Sequence, residues 1–143
     1  MTFLPDINLW IALAVIEHDQ HAAATQWFES TGDAGMAFCR VTQMGFLRLL
    51  TNRSVMKGDE LTPDAAWRRL ERIRADLKPL FAAEPAGLEK VWQDMSSKAG
   101  SGSNFWTDAY LAAFAKTAGY TFVTFDRGVS RYGRTGIHIL RPA

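Results

Sequence analysis

Residues 104–127 read NFWTDAYLAAFAKTAGYTFVTFDR and contain a helix pattern followed by a strand pattern. A helical pattern opens with Thr107 and Asp108 and continues until Gly119, and the apolar run 121–125 that follows predicts a strand. Asp108 lies in the first turn of this helix, and Asp126 comes directly after the strand. Because ligands bind outside the carboxyl ends of the strands in an open α/β sheet, both carboxylates are expected at the functional edge.

Strand and helix patterns alternate along the rest of the chain. Further strands are predicted at residues 2–5, 36–39, 77–81 and 137–140, and further helices near residues 9–16, 22–30, 41–50, 63–75 and 87–97. Thr62 and Pro63 form a strong helix start, since threonine caps backbone N–H groups and proline is preformed for the first helical position. The alternation predicts an α/β fold in one domain over residues 1–143. We expect three α/β/α layers with a mostly parallel central sheet of about five strands.

Composition excludes several classes of protein. The net charge of +1 excludes an overwhelmingly basic nucleic-acid binder, and the single cysteine, Cys39, excludes a disulfide framework or a Cys-rich zinc site. The longest unbroken apolar run, residues 9–16, is shorter than the roughly 20 residues of a spanning helix. We therefore expect a cytoplasmic protein without a membrane segment. The Gly/Ser-rich residues 99–103 predict a flexible loop before residues 104–127.

Asp6 is a third carboxylate that directly follows a predicted strand. Taken singly, Asp108 could offset the helix dipole and Asp126 could form an Asx turn, and the residues leave these alternatives open. Three carboxylates collected at one sheet edge repel each other unless a cation binds among them. Hard oxygen ligands favour Mg²⁺ or Mn²⁺ over zinc, and the sequence does not distinguish one ion from two.

Four segments together resemble a PIN domain of the VapC toxin type. They read LPDINLWIAL from Leu4, TQMGFLR from Thr42, TDAYLAAFA from Thr107 and TFDR from Thr124. The resemblance covers almost the whole chain in the right order and implies a single PIN-like domain with an acidic pocket. It implies a metal-dependent endoribonuclease toxin with Mg²⁺ or Mn²⁺ as cofactor and RNA as substrate. The partners it implies are a cognate antitoxin and a second copy of the chain in a homodimer.

The resemblance also assigns the site residues. Asp6, Asp108 and Asp126 match the family's acids, Asn8 matches the polar residue that supports the first acid, and Thr124 matches a small hydroxyl residue near the last. Asn104 could add a neutral oxygen to the pocket, with a helix cap or loop residue as the alternative.

Gln43 departs from the family pattern, since many members have glutamate there. A glutamine carbonyl can still accept a hydrogen bond from a metal-bound water, so we count Gln43 among the catalytic candidates. The lost charge gives the alternative function, a PIN-like protein-binding module with weak or no nuclease activity. A phosphotransfer receiver domain shares the α/β pattern but requires an adjacent acid pair after the first strand, which this chain lacks.

Arginines concentrate in the middle of the chain and predict an RNA-binding face. The candidates are Arg48, Arg68, Arg69 and Arg72. A solvated helix face with local ion pairs is the alternative. The aromatic residues Trp10, Trp27 and Phe28 fall in the first two helices, where they form either core or a groove for an antitoxin helix.

Overall fold

The computed structural model describes residues 1–97, 100, 102–133 and 136–142. Its elements follow in the order β1 Thr2–Pro5, α1 Ile7–Ala14, α2 His21–Ser30, β2 Gly35–Phe38, α3 Arg40–Leu50, α4 Pro63–Leu77, β3 Leu80–Phe81, α5 Leu88–Ser96, α6 Phe105–Ala118, β4 Thr121–Thr124, a 3₁₀ helix Arg127–Tyr132, and β5 Ile137–Ile139. Of the loop predicted at 99–103, Ala99 and Ser101 lie outside the described residues.

The sheet has the order β3-β2-β1-β4-β5. Every pair of neighbouring strands within the described residues is parallel. The predicted α/β class with a parallel central sheet is therefore confirmed. Because β1 and β4 are adjacent at the centre of the sheet, the residues that follow them, Asp6 and Asp126, meet at one edge.

Two hydrophobic cores cover the two faces of the sheet. Successive strand residues alternate between them, so Phe3 and Val123 face one core while Leu4 and Phe122 face the other. The first core packs side chains of α1 to α4 against the sheet, and the second packs α5 and α6. This arrangement gives the three α/β/α layers.

Most helix boundaries follow the sequence signals. The Thr62 hydroxyl accepts a hydrogen bond from the Ala65 N–H at 3.2 Å, and α4 begins at Pro63. Gly119 ends α6 in the left-handed conformation with φ of 74°. None of the helices in the described part of the chain combines the length and hydropathy that crossing a membrane requires.

Some details differ from the prediction. Leu77 ends α4, and Lys78 takes a left-handed conformation, so β3 has two residues instead of the predicted run 77–81. Helix α6 begins at Phe105, two residues before Thr107. The 3₁₀ helix after Asp126 has no apolar period that would have announced it.

Trp10 and Trp27 belong to the core and do not form a groove. Their exposed fractions are 0% and 8%. Trp10 stacks on Phe38 with ring centroids 4.0 Å apart, and Phe28 packs partly buried against the same core. Of the two alternatives left open by the sequence, the structure selects core.

Candidate functional site

A pocket of about 120 Å³ opens at the carboxyl edge between β1 and β4. It is lined by Asp6, Ile7, Asn8, Arg48, Leu49, Asn104, Thr107, Asp108 and Asp126. The structure thus brings together the three acids expected from the sequence, along with Asn8 and Asn104. A water occupies about 30 Å³ of liquid, so the pocket has room for an ion and a few waters.

Asp6 is fixed by hydrogen bonds at the bottom of the pocket. Its side chain is 5% exposed, and it caps α1, where Oδ1 accepts from the Ile7 N–H at 2.7 Å. Its other oxygen, Oδ2, accepts from the Thr124 hydroxyl at 2.8 Å. The carboxylate therefore has one orientation, set by the start of a helix and the end of a neighbouring strand.

Thr124 connects two of the acids. Besides donating to Asp6, its hydroxyl oxygen accepts from the Asp126 N–H at 3.0 Å. Asp126 in turn forms an Asx turn, because its Oδ1 accepts from the Gly128 N–H at 2.8 Å. The turn suggested as an alternative role for Asp126 is present, and it holds the carboxylate beside the pocket.

Replacing Thr124 by valine is expected to destabilise the fold by about 2 kcal/mol, because the buried Asp6 Oδ2 and the Asp126 N–H both lose their partner. Urea unfolding measures this change. Thr124→Ser keeps the hydroxyl and serves as the control. It should lose less stability than Thr124→Val. Equal stability of the valine variant and the parent would contradict the bridging role.

The carboxyl group of Asp108 is in an unfavourable environment for a negative charge. Burial is the largest cause that raises the pKa of Asp108, from 3.8 to about 7. The negative charges of Asp6 and Asp126 and a hydrogen bond with the Asp126 side chain raise it in the same direction. Burial likewise raises the pKa of Asp6, against the hydrogen bonds from Thr124 and Ile7. Asp108 and Asp6 therefore bind a proton more readily than a free aspartate does.

Asn104 lies at the start of α6 and is one of the residues that line the pocket. It occupies the N-cap position of α6, but its side chain makes no capping hydrogen bond there. Its backbone carbonyl accepts from the Asp108 N–H at 2.9 Å. A contribution of the Asn104 side-chain oxygen to the pocket stays a prediction.

Arg131 is a second cation at the site that the sequence pattern did not reveal. Its charge lowers the pKa of Asp108 against the other influences. Its Nε donates to the Gly128 carbonyl at 2.8 Å, which fixes the side chain next to the Asp126 turn. Arg131 is brought there by the unpredicted 3₁₀ helix, and no sequence motif marks it.

Gln43 is not among the residues that line the pocket. Its side chain is 3% exposed, and its Oε1 accepts a hydrogen bond from Arg40 on the same helix. Its backbone N–H donates to the Cys39 carbonyl. A catalytic role for Gln43 stays a prediction, and the described geometry gives its amide a structural partner.

The predicted arginine face divides into two parts. Arg48 lines the acidic pocket. Arg69 donates to the Ala14 carbonyl at 3.1 Å, at the end of α1 opposite to Asp6 and about 12 Å along the helix. Arg68 pairs with Asp64, and Arg72 lies exposed on the same helix. The candidates on α4 are therefore separated from the pocket.

The donor set of the pocket fits a hard cation. Within the described ranges, no group of three Asp, Glu, His or Cys side chains already stands in ligand geometry. The pocket nevertheless offers carboxylates, the Asn104 amide and the Thr107 hydroxyl, which are all oxygen donors. Mg²⁺ is usually bound by one or two carboxylates and keeps several waters, which agrees with this lining.

Comparisons with known proteins point to one family. The model of the family described as PIN domain matches residues 3–135. Ribonuclease VapC41 of Mycobacterium tuberculosis is 39% identical over 142 residues, covering 96% of this chain and 97% of that protein. Ribonuclease VapC39 of the same organism is 33% identical over 137 residues, with 96% and 97% covered.

A solved structure agrees at the level of the fold. It is described as VapBC2 from Rickettsia felis bound to a DNA fragment from their promoter. A chain of this structure superimposes with a TM-score of 0.70 and 10% identity, covering 99% of this chain and 100% of that chain. At this identity the likeness concerns the arrangement of helices and strands.

Proposed function

Because the chain belongs to the PIN-domain family, in the branch that contains the VapC ribonucleases, we propose that it is the endoribonuclease toxin of a toxin–antitoxin pair. The observation behind the proposal is the convergence of Asp6, Asp108 and Asp126 on one pocket, where burial and the neighbouring carboxylates raise the pKa of Asp108 to about 7. The proposed substrate is RNA, and the proposed cofactor is Mg²⁺ or Mn²⁺.

The residues in and around the pocket have different proposed roles. Asp6, Asp108 and Asp126 would hold the metal ion, which would supply a Lewis acid and would lower the pKa of a bound water. Thr124 and the Ile7 N–H orient Asp6. Asn8 and Asn104 add neutral polar groups at the rim, and Arg48 offers a cation to the RNA phosphates on the same rim.

Cleavage of single-stranded RNA by purified protein tests the proposal. We expect cleavage in Mg²⁺ or Mn²⁺ and none in excess EDTA, with restoration when the metal is returned. Mapping RNA ends after brief expression of the parent and an Asp6-substituted protein then identifies the RNA that is cut. Cleavage that continues unchanged in EDTA would contradict the metal-dependent mechanism.

Arg48 and Arg69 provide a matched pair for testing the RNA face. Arg48→Met is expected to weaken RNA binding several-fold and to reduce the salt dependence of log K by about 0.7, the value of one contact to single-stranded nucleic acid. Arg69→Met should leave both quantities unchanged and instead lower stability by about 1 kcal/mol, because its partner is the Ala14 carbonyl. Filter binding at several salt concentrations measures the first effect. Equal RNA-binding losses in the two variants would contradict this division.

The proposed protein partners are a cognate antitoxin and a second copy of the chain. Large apolar side chains exposed on α4 and β3, namely Trp67, Leu80 and Phe81, leave apolar surface for such contacts. Light scattering of the chain alone and with the product of the neighbouring gene tests both. A monomer that also fails to bind that product would contradict them.

The alternative function, a protein-binding module without strong nuclease activity, predicts a different metal response. Gln43 is paired with Arg40 and does not line the pocket. This observation favours the alternative function. Calorimetric titration with Mn²⁺ separates the two functions. The module predicts no binding at millimolar metal, whereas the nuclease predicts binding.

A further inference from the structure

The Arg131 guanidinium lies beside Asp126, one of the three acids of the pocket. Gly128 shows how close the two groups are, because a Cβ atom added to it would lie 3.0 Å from Arg131 Nη2 and 3.1 Å from Asp126 Oδ1. The glycine thus leaves open the small space that the guanidinium and the carboxylate flank. Since Asp126 lines the pocket and the charge of Arg131 also acts on Asp108, the guanidinium stands at the border of the pocket.

Contacts on one side fix the Arg131 side chain. Its Nε–H donates to the Gly128 carbonyl at 2.8 Å, and its Cζ atom lies over the Tyr132 ring, 5.6 Å from the ring centroid. Tyr132 is itself anchored, because its hydroxyl donates to the Phe105 carbonyl at 3.3 Å. A side chain that is already fixed in this way loses little conformational freedom when it binds a ligand.

The other end of the guanidinium is not used by the fold. In the part of the chain that the structure describes, the terminal nitrogens Nη1 and Nη2 of Arg131 have no hydrogen-bond acceptor, and the ion pairs involve other residues. Arg131 is also exposed. A guanidinium presents its N–H groups as a planar fork that matches two oxygens of a phosphate. The terminal N–H groups are therefore available to an anion at the pocket.

An acidic pocket needs nearby cations if it is to receive RNA. Three carboxylates repel phosphates, and one divalent cation would neutralise only two of the three charges. Arg48 and Arg131 bring positive charge from the two faces of the sheet, because α3 packs in the first core and Val129 of the 3₁₀ helix packs in the second. An RNA strand at the pocket would thus meet a cation from each helical layer.

We propose that Arg131 donates its terminal N–H groups to a phosphate of single-stranded RNA at the acidic pocket. This inference rests on the proposed ribonuclease function and adds an RNA-contacting residue to it. Phosphate contacts position a nucleic acid without reading its sequence, so Arg131 would align the strand with the acids and would not select bases. The alternative is a structural contact that only supports the 3₁₀ helix, and this contact uses Nε alone.

Substitution of Arg131 by methionine and by lysine separates these two roles. Arg131→Met is expected to lower the affinity for a single-stranded oligoribonucleotide about tenfold, as for one lost charge-assisted hydrogen-bond contact, and to reduce the salt dependence of log K by about 0.7. Arg131→Lys keeps the charge but not the fork, so it should keep the salt dependence of the parent and lose less affinity. A structural contact through Nε would be lost in both variants, and the salt dependence would not change.

Arg74→Met is the matched control for Arg131→Met. Arg74 is paired with Glu71 near the end of α4, which leads to the amino end of β3 and thus away from the pocket. This variant should match the parent in RNA affinity and in salt dependence. Filter binding in Ca²⁺ in place of Mg²⁺ measures both quantities, and circular dichroism verifies the fold. Equal affinity of Arg131→Met and the parent, or equal losses in Arg131→Met and Arg131→Lys with unchanged salt dependence, would overturn the proposal.

A titration with altered RNA tests the phosphate contact itself. The probe is the same oligoribonucleotide with one phosphate at a time replaced by a neutral methylphosphonate, preceded by a 2′-O-methyl nucleotide that keeps the linkage intact. At one linkage the parent should lose about tenfold more affinity than Arg131→Met does. Equal losses in both proteins at every linkage, or a variant that keeps its RNA affinity and loses only a protein partner, would overturn the proposal. A parent that binds RNA but never cleaves it would contradict the proposed function, whereas this titration would still decide the role of Arg131.

Discussion

Asp108→Asn is expected to slow RNA cleavage by about 10³-fold without unfolding the chain. A bound metal ion contributes several kcal/mol of transition-state stabilisation, and each 1.4 kcal/mol corresponds to about tenfold in rate. Asparagine keeps the shape of the side chain and removes the charge that a cation would require. Asp6→Asn should show a comparable loss, while the amide can still accept the hydrogen bond of the helix cap.

Single-turnover cleavage of an RNA oligonucleotide measures this effect, and circular dichroism verifies the fold. Asp33→Asn is the matched control. Asp33 is an exposed aspartate just before β2, at the amino edge of the sheet and thus opposite to the pocket. The Asp33→Asn variant should cut RNA as fast as the parent. If Asp108→Asn also cuts as fast as the parent, Asp108 has no part in the reaction.

The metal-free protein is expected to lose stability between about pH 5 and pH 8. Because the pKa of Asp108 is raised in the fold to about 7, the native state binds more protons than the unfolded state between pH 3.8 and 7. The stabilisation from this group is therefore complete below its unfolded pKa and is lost as the pH rises through 7. After allowance for solvent screening of a half-buried carboxyl, the loss is about 1 to 2 kcal/mol.

Urea unfolding in EDTA at several pH values measures this loss. Asp108→Asn removes the titrating group, so its stability should vary less with pH and exceed that of the parent at pH 8. Added Mn²⁺ should stabilise the parent at pH 8, since a ligand that binds the native state shifts the equilibrium by mass action. A parent that becomes more stable from pH 5 to pH 8 in EDTA would contradict the electrostatics described for the pocket.

The sequence was sufficient to predict an α/β fold with a parallel sheet and the convergence of the acids at its carboxyl edge. Asp6 and Asp126 each follow a short apolar run, and the parallel order of strands places such residues on one edge. The position of Asp108 follows from helix geometry, because a helix that precedes a parallel strand begins at the carboxyl edge of the sheet. These inferences need only local patterns and one topological rule.

The side chains around the acids could not be predicted in the same way. One residue along a helix changes its direction by about 100°, so the position of Gln43 in the first turn of α3 did not determine which partner its amide would find. Arg131 reaches the site through a 3₁₀ turn without an apolar period, and Arg69 is engaged by a carbonyl 55 residues away in the chain. Each of these contacts depends on tertiary packing.

The length of β3 shows a similar limit. The apolar residues from Leu77 to Phe81 suggested a strand, but Leu77 continues the amphipathic helix α4 and packs partly buried against the first core. Lys78 then takes a left-handed conformation with φ of 48°, which ends the helix and leaves room for a two-residue strand. Short apolar runs fit either structure, and core packing decides between them.

Calorimetric titration of the parent and of Asp108→Asn with Mn²⁺ at pH 8 tests whether the carboxylates of the pocket hold a divalent cation. We predict saturable binding at or below millimolar metal in the parent and a loss of at least about tenfold in affinity in the variant, because a charged ligand is removed. Absence of binding in the parent at millimolar metal, or equal affinity in the two proteins, would contradict metal binding by these carboxylates.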